Sequence, residues 1–293
     1  MSNIQLIIEE RASTIGNFLV GRLLPFRQKR MVGPFIFLDH MGPVALKDRD
    51  RLDVLPHPHI GLSTLTYLLE GVIRHQDSLQ NDLVIEPGAV NLMTAGKGIV
   101  HSERTPLKMK NYSHVLHGLQ IWIALPTELE DIEPSFQHTP KDEIPSKKIG
   151  DTLVRVIAGN VLGMKSPVKT YSPLFLIEMT SVSYSEINIG NDLFGEVAMY
   201  ILKGKVEIDD IEFDANQILV AKNPKLCAFK MKENSHIYIF GGDPFLEERF
   251  INWNFVSSSK NKIDEAIELW KKQKFPIIPN DAEEFVPYPT LKH

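Results

Sequence analysis

The sequence predicts an all-β fold made of two tandem β-barrel or β-sandwich domains, with one short helix near the C-terminus. Three observations carry this. Apolar segments are short, rich in Val, Ile, Thr, Tyr and Phe, and divided by Gly, Pro, Asn or Asp, the pattern of many short strands. They include 62–69, 83–85, 116–124, 154–157, 174–179, 198–202, 218–221 and 236–240. Second, Tyr67-Leu-Leu-Glu-Gly71-Val-Ile-Arg and Tyr200-Ile-Leu-Lys-Gly204-Lys-Val-Glu both read as strand, glycine turn, strand, so the halves look like copies of one unit. Each is followed by a further apolar strand, 92–95 in one half and 218–221 in the other. Third, only one segment has helical spacing.

That segment places Ile263, Ala266, Ile267 and Trp270 on one face. Ser258 or Ser259 can cap its start, and Lys271, Lys272 and Lys274 lie ahead of Pro276. A helix over 260–273 is expected, its apolar stripe packed on a sheet. Residues 128–148, charged and carrying Pro134, Pro140 and Pro145, read as the connector. The expected domains are therefore 1–135 and 136–293, the helix going with the second.

Composition narrows the function. A chain of 293 residues with 43% hydrophobic side chains can build proper cores. The net charge of −5 and the scattered basic residues argue against direct nucleic-acid binding. Cys227 is the only cysteine, which excludes an internal disulfide and a cysteine-cluster zinc site. The N-terminal residues lack a leader pattern and no stretch approaches the ~20 apolar residues of a membrane span, so a cytoplasmic protein without membrane insertion is expected. No Gly-x-Ser-x-Gly elbow and no nucleotide-binding glycine motif occurs.

The residues that can carry chemistry are histidines. His57 and His59 alternate along a predicted strand, so both can face one point, with Pro58 stiffening the backbone between them. Ten histidines make one such pair weak evidence. A second alternate pair, His101 and Glu103, follows the glycines of Gly96-Lys-Gly98. If the two strands are neighbours, three neutral nitrogens and a carboxylate converge, a set that suits Fe, Mn, Co, Ni, Cu or Zn and not Ca or Mg. In the second copy the matching positions hold Gly190, Asp192 and Cys227, so that half is expected to be metal-free, with Cys227 a small buried residue. Among the other histidines, His117 reads as a hydrogen-bond partner or a core residue, His75 and His114 as exposed, His40 as part of a turn at Asp39–Pro43, His138 as connector and His236 as isolated.

"HPHIGLSTLTYLLEG", "MTAGKGIVHSE" and "HGLQIWIALP", followed by "FGGDPF", "NWNFVSSSK" and "FPIIPNDAEEFVPYP", resemble the pirin family of the cupin superfamily over most of the chain. The resemblance implies two tandem cupin domains, jelly-roll-like β-barrels, with one metal, usually iron, in the first. Its ligands fall on His57, His59, His101 and Glu103. Many cupins carry their acid where this chain has Ser63, so Glu103 has to supply it. Pirins often have Arg and Glu where this chain has Ile60 and Ser63, which alters the surroundings of the site.

The activity so implied is that of a quercetin 2,3-dioxygenase-like oxidoreductase: Fe(II), with Mn, Co, Ni, Cu or Zn also compatible, and a flavonol-like aromatic substrate cleaved with O2. Glu103 would take the proton of the flavonol 3-hydroxyl. Phe35, Phe37, Met41 and Trp122 are candidate pocket walls, with core packing as the competing role. The alternatives are a non-enzymatic, redox-responsive iron protein acting through a protein partner, and a purely structural two-domain scaffold.

Overall fold

The computed structural model describes residues 2–15, 18–46, 52–109 and 112–289. The chain divides into two compact units, one formed by 1–11, 22–38 and 139–245, the other by 12–21, 39–138 and 246–293. The division between the halves falls near the expected one, but the ends go elsewhere. The first residues join the unit of the second half, and the helix Lys260–Lys271 joins the unit of the first. The contiguous split at 135/136 misassigns both ends because each end buries its apolar residues in the other half's unit.

The unit around residues 39–138 opposes two sheets. One is four-stranded, in the order Asp53–His59, Ile99–Arg104, Ile73–Asp77, Asp82–Ile85. The other is seven-stranded, with Ser135–Thr139, Val90–Thr94, Leu62–Glu70, His114–Ala124 and Phe35–Leu46 in sequence, then Phe18–Leu24 and Arg11–Ile15. Val54, Ile73 and Ile85 of the first sheet meet Met41, Leu68 and Leu116 of the second in one buried cluster. That contact fixes which face of each strand is interior, because side chains alternate along a strand.

The other unit repeats the plan. Ser185–Asn188, Ala228–Met231, Lys205–Ile208 and Ile211–Asp214 form its four-stranded sheet, in that order. Gln217–Ala221, Glu196–Lys203, Ser235–Gly242 and Leu174–Ser181 occupy the places of their counterparts in the larger sheet. Its interior is apolar, with Val206, Phe229 and Met231 packed on Met199, Ile201 and Ile237. At the duplicated turn, Gly71 and Gly204 both have left-handed backbone, φ 80° and 78°.

Gly204 also has no room: a Cβ there would sit 2.7 Å from the Ser235 Cα, whereas one on Gly150, also at positive φ, would meet nothing within 4 Å. We therefore expect Gly204→Ala to cost about 3 kcal/mol by urea titration and Gly150→Ala about 1 kcal/mol. Equal losses would mean that the turn tolerates a side chain.

The expected connector is structured. Ser135–Thr139 and Ser146–Ile149 form the edges of the two large sheets, and their prolines fall just outside the strands, where no ladder bond is lost. Glu130 is buried, accepting bonds from Ser257 Oγ at 2.6 Å and the Ser258 amide at 2.7 Å. Ile263, Ala266, Ile267 and Trp270 of the helix pack against Ile60, Val100, Phe255 and Ile278, as the spacing predicts. Ser259 is the cap residue, but its side chain makes no capping bond. Among the described residues, no helix is long and apolar enough to cross a membrane.

Candidate metal centre

The histidine strands are neighbours. Ile99–Arg104 runs antiparallel to Asp53–His59, with His101 opposite His57 and Ile99 opposite His59. The three rings lie 4.3 Å (His57–His101), 5.0 Å (His59–His101) and 5.1 Å (His57–His59) apart, centre to centre. Their donor atoms all fall within 4.8 Å of one another, and all three residues are buried.

Two imidazoles are oriented by carbonyls. Nδ1–H of His57 donates to the Leu55 carbonyl at 2.8 Å and Nδ1–H of His59 to the Asn254 carbonyl at 3.1 Å. A carbonyl cannot donate, so these contacts fix the tautomer and leave both Nε2 lone pairs free. His59 Nε2 lies 3.1 Å from His101 Nε2, and His101 Nδ1 is buried without a hydrogen-bond partner among the described residues. Burial holds the His57 ring at about 4 and pushes His59 and His101 well below the usual histidine range. Neutral nitrogens at such spacing suit one cation: two donors about 2.1 Å from an ion and at right angles to it are about 3.0 Å apart. The donor set fits a borderline transition metal.

Glu103 is on the same strand and face as His101 but outside the group of converging donors. The pairing with the His57 strand slips between His101 and Glu103, which sets Glu103 opposite Val54. The residue is half-buried, yet desolvation lifts its carboxyl from 4.5 to about 7. No hydrogen-bond or ion-pair partner for it occurs among the described residues.

Other sequence-based expectations divide. His75 is buried, not exposed: it faces Glu103 across the strand pair, stacks on Phe136 at 4.6 Å, and contacts Asp77 Oδ2 at 3.2 Å. Its alternate spacing with Asp77 matches that of the two recognised pairs and was the available signal. His114 is half-buried. His40 lies in the strand Phe35–Leu46, not in a turn, and its Nε2 meets His117 Nε2 at 2.9 Å. Both neighbours, Met41 and Leu116, belong to the interior cluster, so the His40–His117 pair lies on the opposite face of its sheet, with His40 still buried. His138 sits on a strand and contacts Asn91 Oδ1 at 2.7 Å. His236 is not isolated; it lies 2.9 Å from Glu178 Oε1.

Of the four candidate walls, only Trp122 adjoins the cluster, its ring 5.1 Å from that of His59 and edge-on. Met41 is core, Phe35 packs on Phe240, and Arg22 covers Phe37. The Ser63 hydroxyl pairs with Thr94 Oγ1 at 3.0 Å. In the other unit, Gly190 and Cys227 are neighbours, the Ile189 amide donating to the Cys227 carbonyl at 3.2 Å. Cys227 packs on the apolar core, and burial pushes its thiol up to about 11.

The comparisons agree with the two-domain β fold. Residues 17–123 match the Pirin family model and residues 177–276 the Pirin C-terminal cupin domain. A Pirin-like protein of Caulobacter vibrioides is 45% identical, covering 98% of this chain and 99% of its own length. The crystal structure of quercetin 2,3-dioxygenase from Acinetobacter baumannii superposes with a TM-score of 0.89 at 33% identity, covering 98% of this chain and 95% of that one. A bacterial pirin from Escherichia coli, solved in complex with nickel(II), shares the fold at 19% identity, with a TM-score of 0.63 over 82% of this chain and 99% of that one. The chain, two cupin domains of which one brings three histidines to a single point, belongs to the pirin family.

Proposed function

We propose that this protein is an iron-dependent dioxygenase that cleaves flavonols of the quercetin type with O2. The observation that carries the proposal is the buried convergence of His57, His59 and His101, in a chain similar throughout its length to a quercetin 2,3-dioxygenase. These three imidazoles, with Glu103 as the carboxylate donor, would hold Fe(II). When bound, the ion would supply Lewis-acid and one-electron chemistry to the substrate and O2.

The residues supply the rest. The Leu55 and Asn254 carbonyls keep two rings in the tautomer that presents Nε2. Glu103, two residues beyond His101 on the same face, takes the proton of the flavonol 3-hydroxyl on its carboxylate oxygen. Trp122 offers an apolar wall beside His59 for a planar ring system. The reaction opens the heterocycle, with both atoms of O2 entering the product and one ring carbon leaving as CO.

The test is direct. Protein loaded anaerobically with Fe(II) and given quercetin should lose flavonol absorbance and release CO when air is admitted. Failure to turn over with each of Fe, Mn, Co, Ni and Cu would remove the proposal.

A further inference from the structure

The ligand-bearing sheet is completed by residues nearly two hundred positions away. Along Ile99–Arg104, His101 and Glu103 face the interior, so Ser102 and Arg104 face outward. Both outward side chains hold Asp281. Ser102 Oγ donates to Oδ2 at 2.7 Å, while Arg104 donates through Nε to Oδ2 at 2.8 Å and through Nη2 to Oδ1 at 2.6 Å. A bidentate pair of this kind is stiff and directional. It is also sheltered, the Arg104 and Asp281 side chains being 18% and 11% exposed.

Further contacts from the same end of the chain reach the other ligand strand. The Val286 amide donates to the Pro56 carbonyl, next to His57, at 2.9 Å, and the Val286 carbonyl is itself held by Trp270 Nε1 at 3.0 Å. The Asn254 carbonyl orients His59, and Phe255 bridges to Ile60. Each ligand histidine thus has a chain neighbour, or its own ring, tied to residues 254–286.

We propose that this C-terminal segment is a brace that sets the spacing of the three imidazoles, and that Asp281 is a positioning residue for metal binding. The proposal rests on the reading of His57, His59 and His101 as a metal site. Supporting groups outside the ligands change metal affinity by about 10–100-fold when removed, since a misplaced donor loses bond strength that the ion cannot recover. A tail that merely packs would lower the melting temperature and leave affinity alone.

Full-length apo-protein, loaded with Co(II), distinguishes the two. Chelator competition should show Asp281→Asn binding about tenfold more weakly, with an altered Co(II) visible spectrum, and Asp281→Glu recovering part of the loss. Ser102→Ala, which removes one bond of the three, gives a milder variant should the first fail to fold; it should weaken binding about threefold. Affinities and spectra within twofold of wild type, in variants whose circular dichroism is native, would overturn the brace. His101→Ala separates this from the reading beneath it. If that variant loses Co(II) while Asp281→Asn keeps it, the brace alone falls; if His101→Ala binds as wild type, the metal site falls first.

Discussion

His101→Ala should abolish stoichiometric metal binding, taking the metal content measured after dialysis from roughly one equivalent per chain to background. The variant removes the ring common to the two shortest ring contacts, 4.3 Å to His57 and 5.0 Å to His59, and leaves two imidazoles one residue apart on a single strand. Two neutral nitrogens, with the Glu103 carboxylate standing outside the group of converging donors, do not hold a dialysable ion against buffer and water. His236→Ala is the matched control, because its ring lies in the other unit against Glu178 at 2.9 Å and its loss should leave metal content unchanged. Full metal in both variants would mean that the ion sits elsewhere.

A large and pH-dependent effect on stability is expected at Glu178. This carboxylate, 2% exposed, accepts from Arg155 Nη1 at 2.8 Å and Tyr238 OH at 3.1 Å and contacts His236 Nε2 at 2.9 Å. Burial pushes the carboxyl up, but the bonds and charges of His236 and Arg155 outweigh it and hold the group at about 2, against an ordinary 4.5. Its pKa being lower in the folded state, Glu178 contributes fully above about pH 5 and loses the contribution as pH falls towards 2. Glu178→Gln should therefore cost about 3 kcal/mol in urea titrations at pH 7 and under half of that, roughly, at pH 3. A penalty equal at both pH values would show that packing, not charge, is what the residue provides.

How much of this was legible in the sequence depended on whether the signal was local. Strand alternation, the Gly71 and Gly204 turns and the Ile263–Trp270 stripe are properties of a few consecutive residues, and each appears in the structure where its spacing puts it. The histidine pairs were equally local, and their meeting needed only that two strands be neighbours. What stayed hidden was long-range. Nothing around Asn254 or Asp281 marks either as a support for a site formed by residues 57–103; the link exists only once the chain returns. His75 was misread as exposed because a histidine between Arg74 and Gln76 looks polar until its strand is seen to line the interior beside Glu103. The connector lies where it is expected, but its strands were hidden because edge strands with flanking prolines and charged outer faces have the composition of a loop.

The exchange of chain ends between the two units has a consequence for the molecule's history. No single cut releases either cupin whole: residues 1–138 lack the Asn254 carbonyl and the Asp281 carboxylate, and residues 139–293 lack the strand Ile4–Glu9 that pairs with Gln217–Ala221. Two modules joined in this way must be inherited together. The copy that carries Gly190 and Cys227 where the other carries histidines cannot then be removed as one contiguous piece of chain.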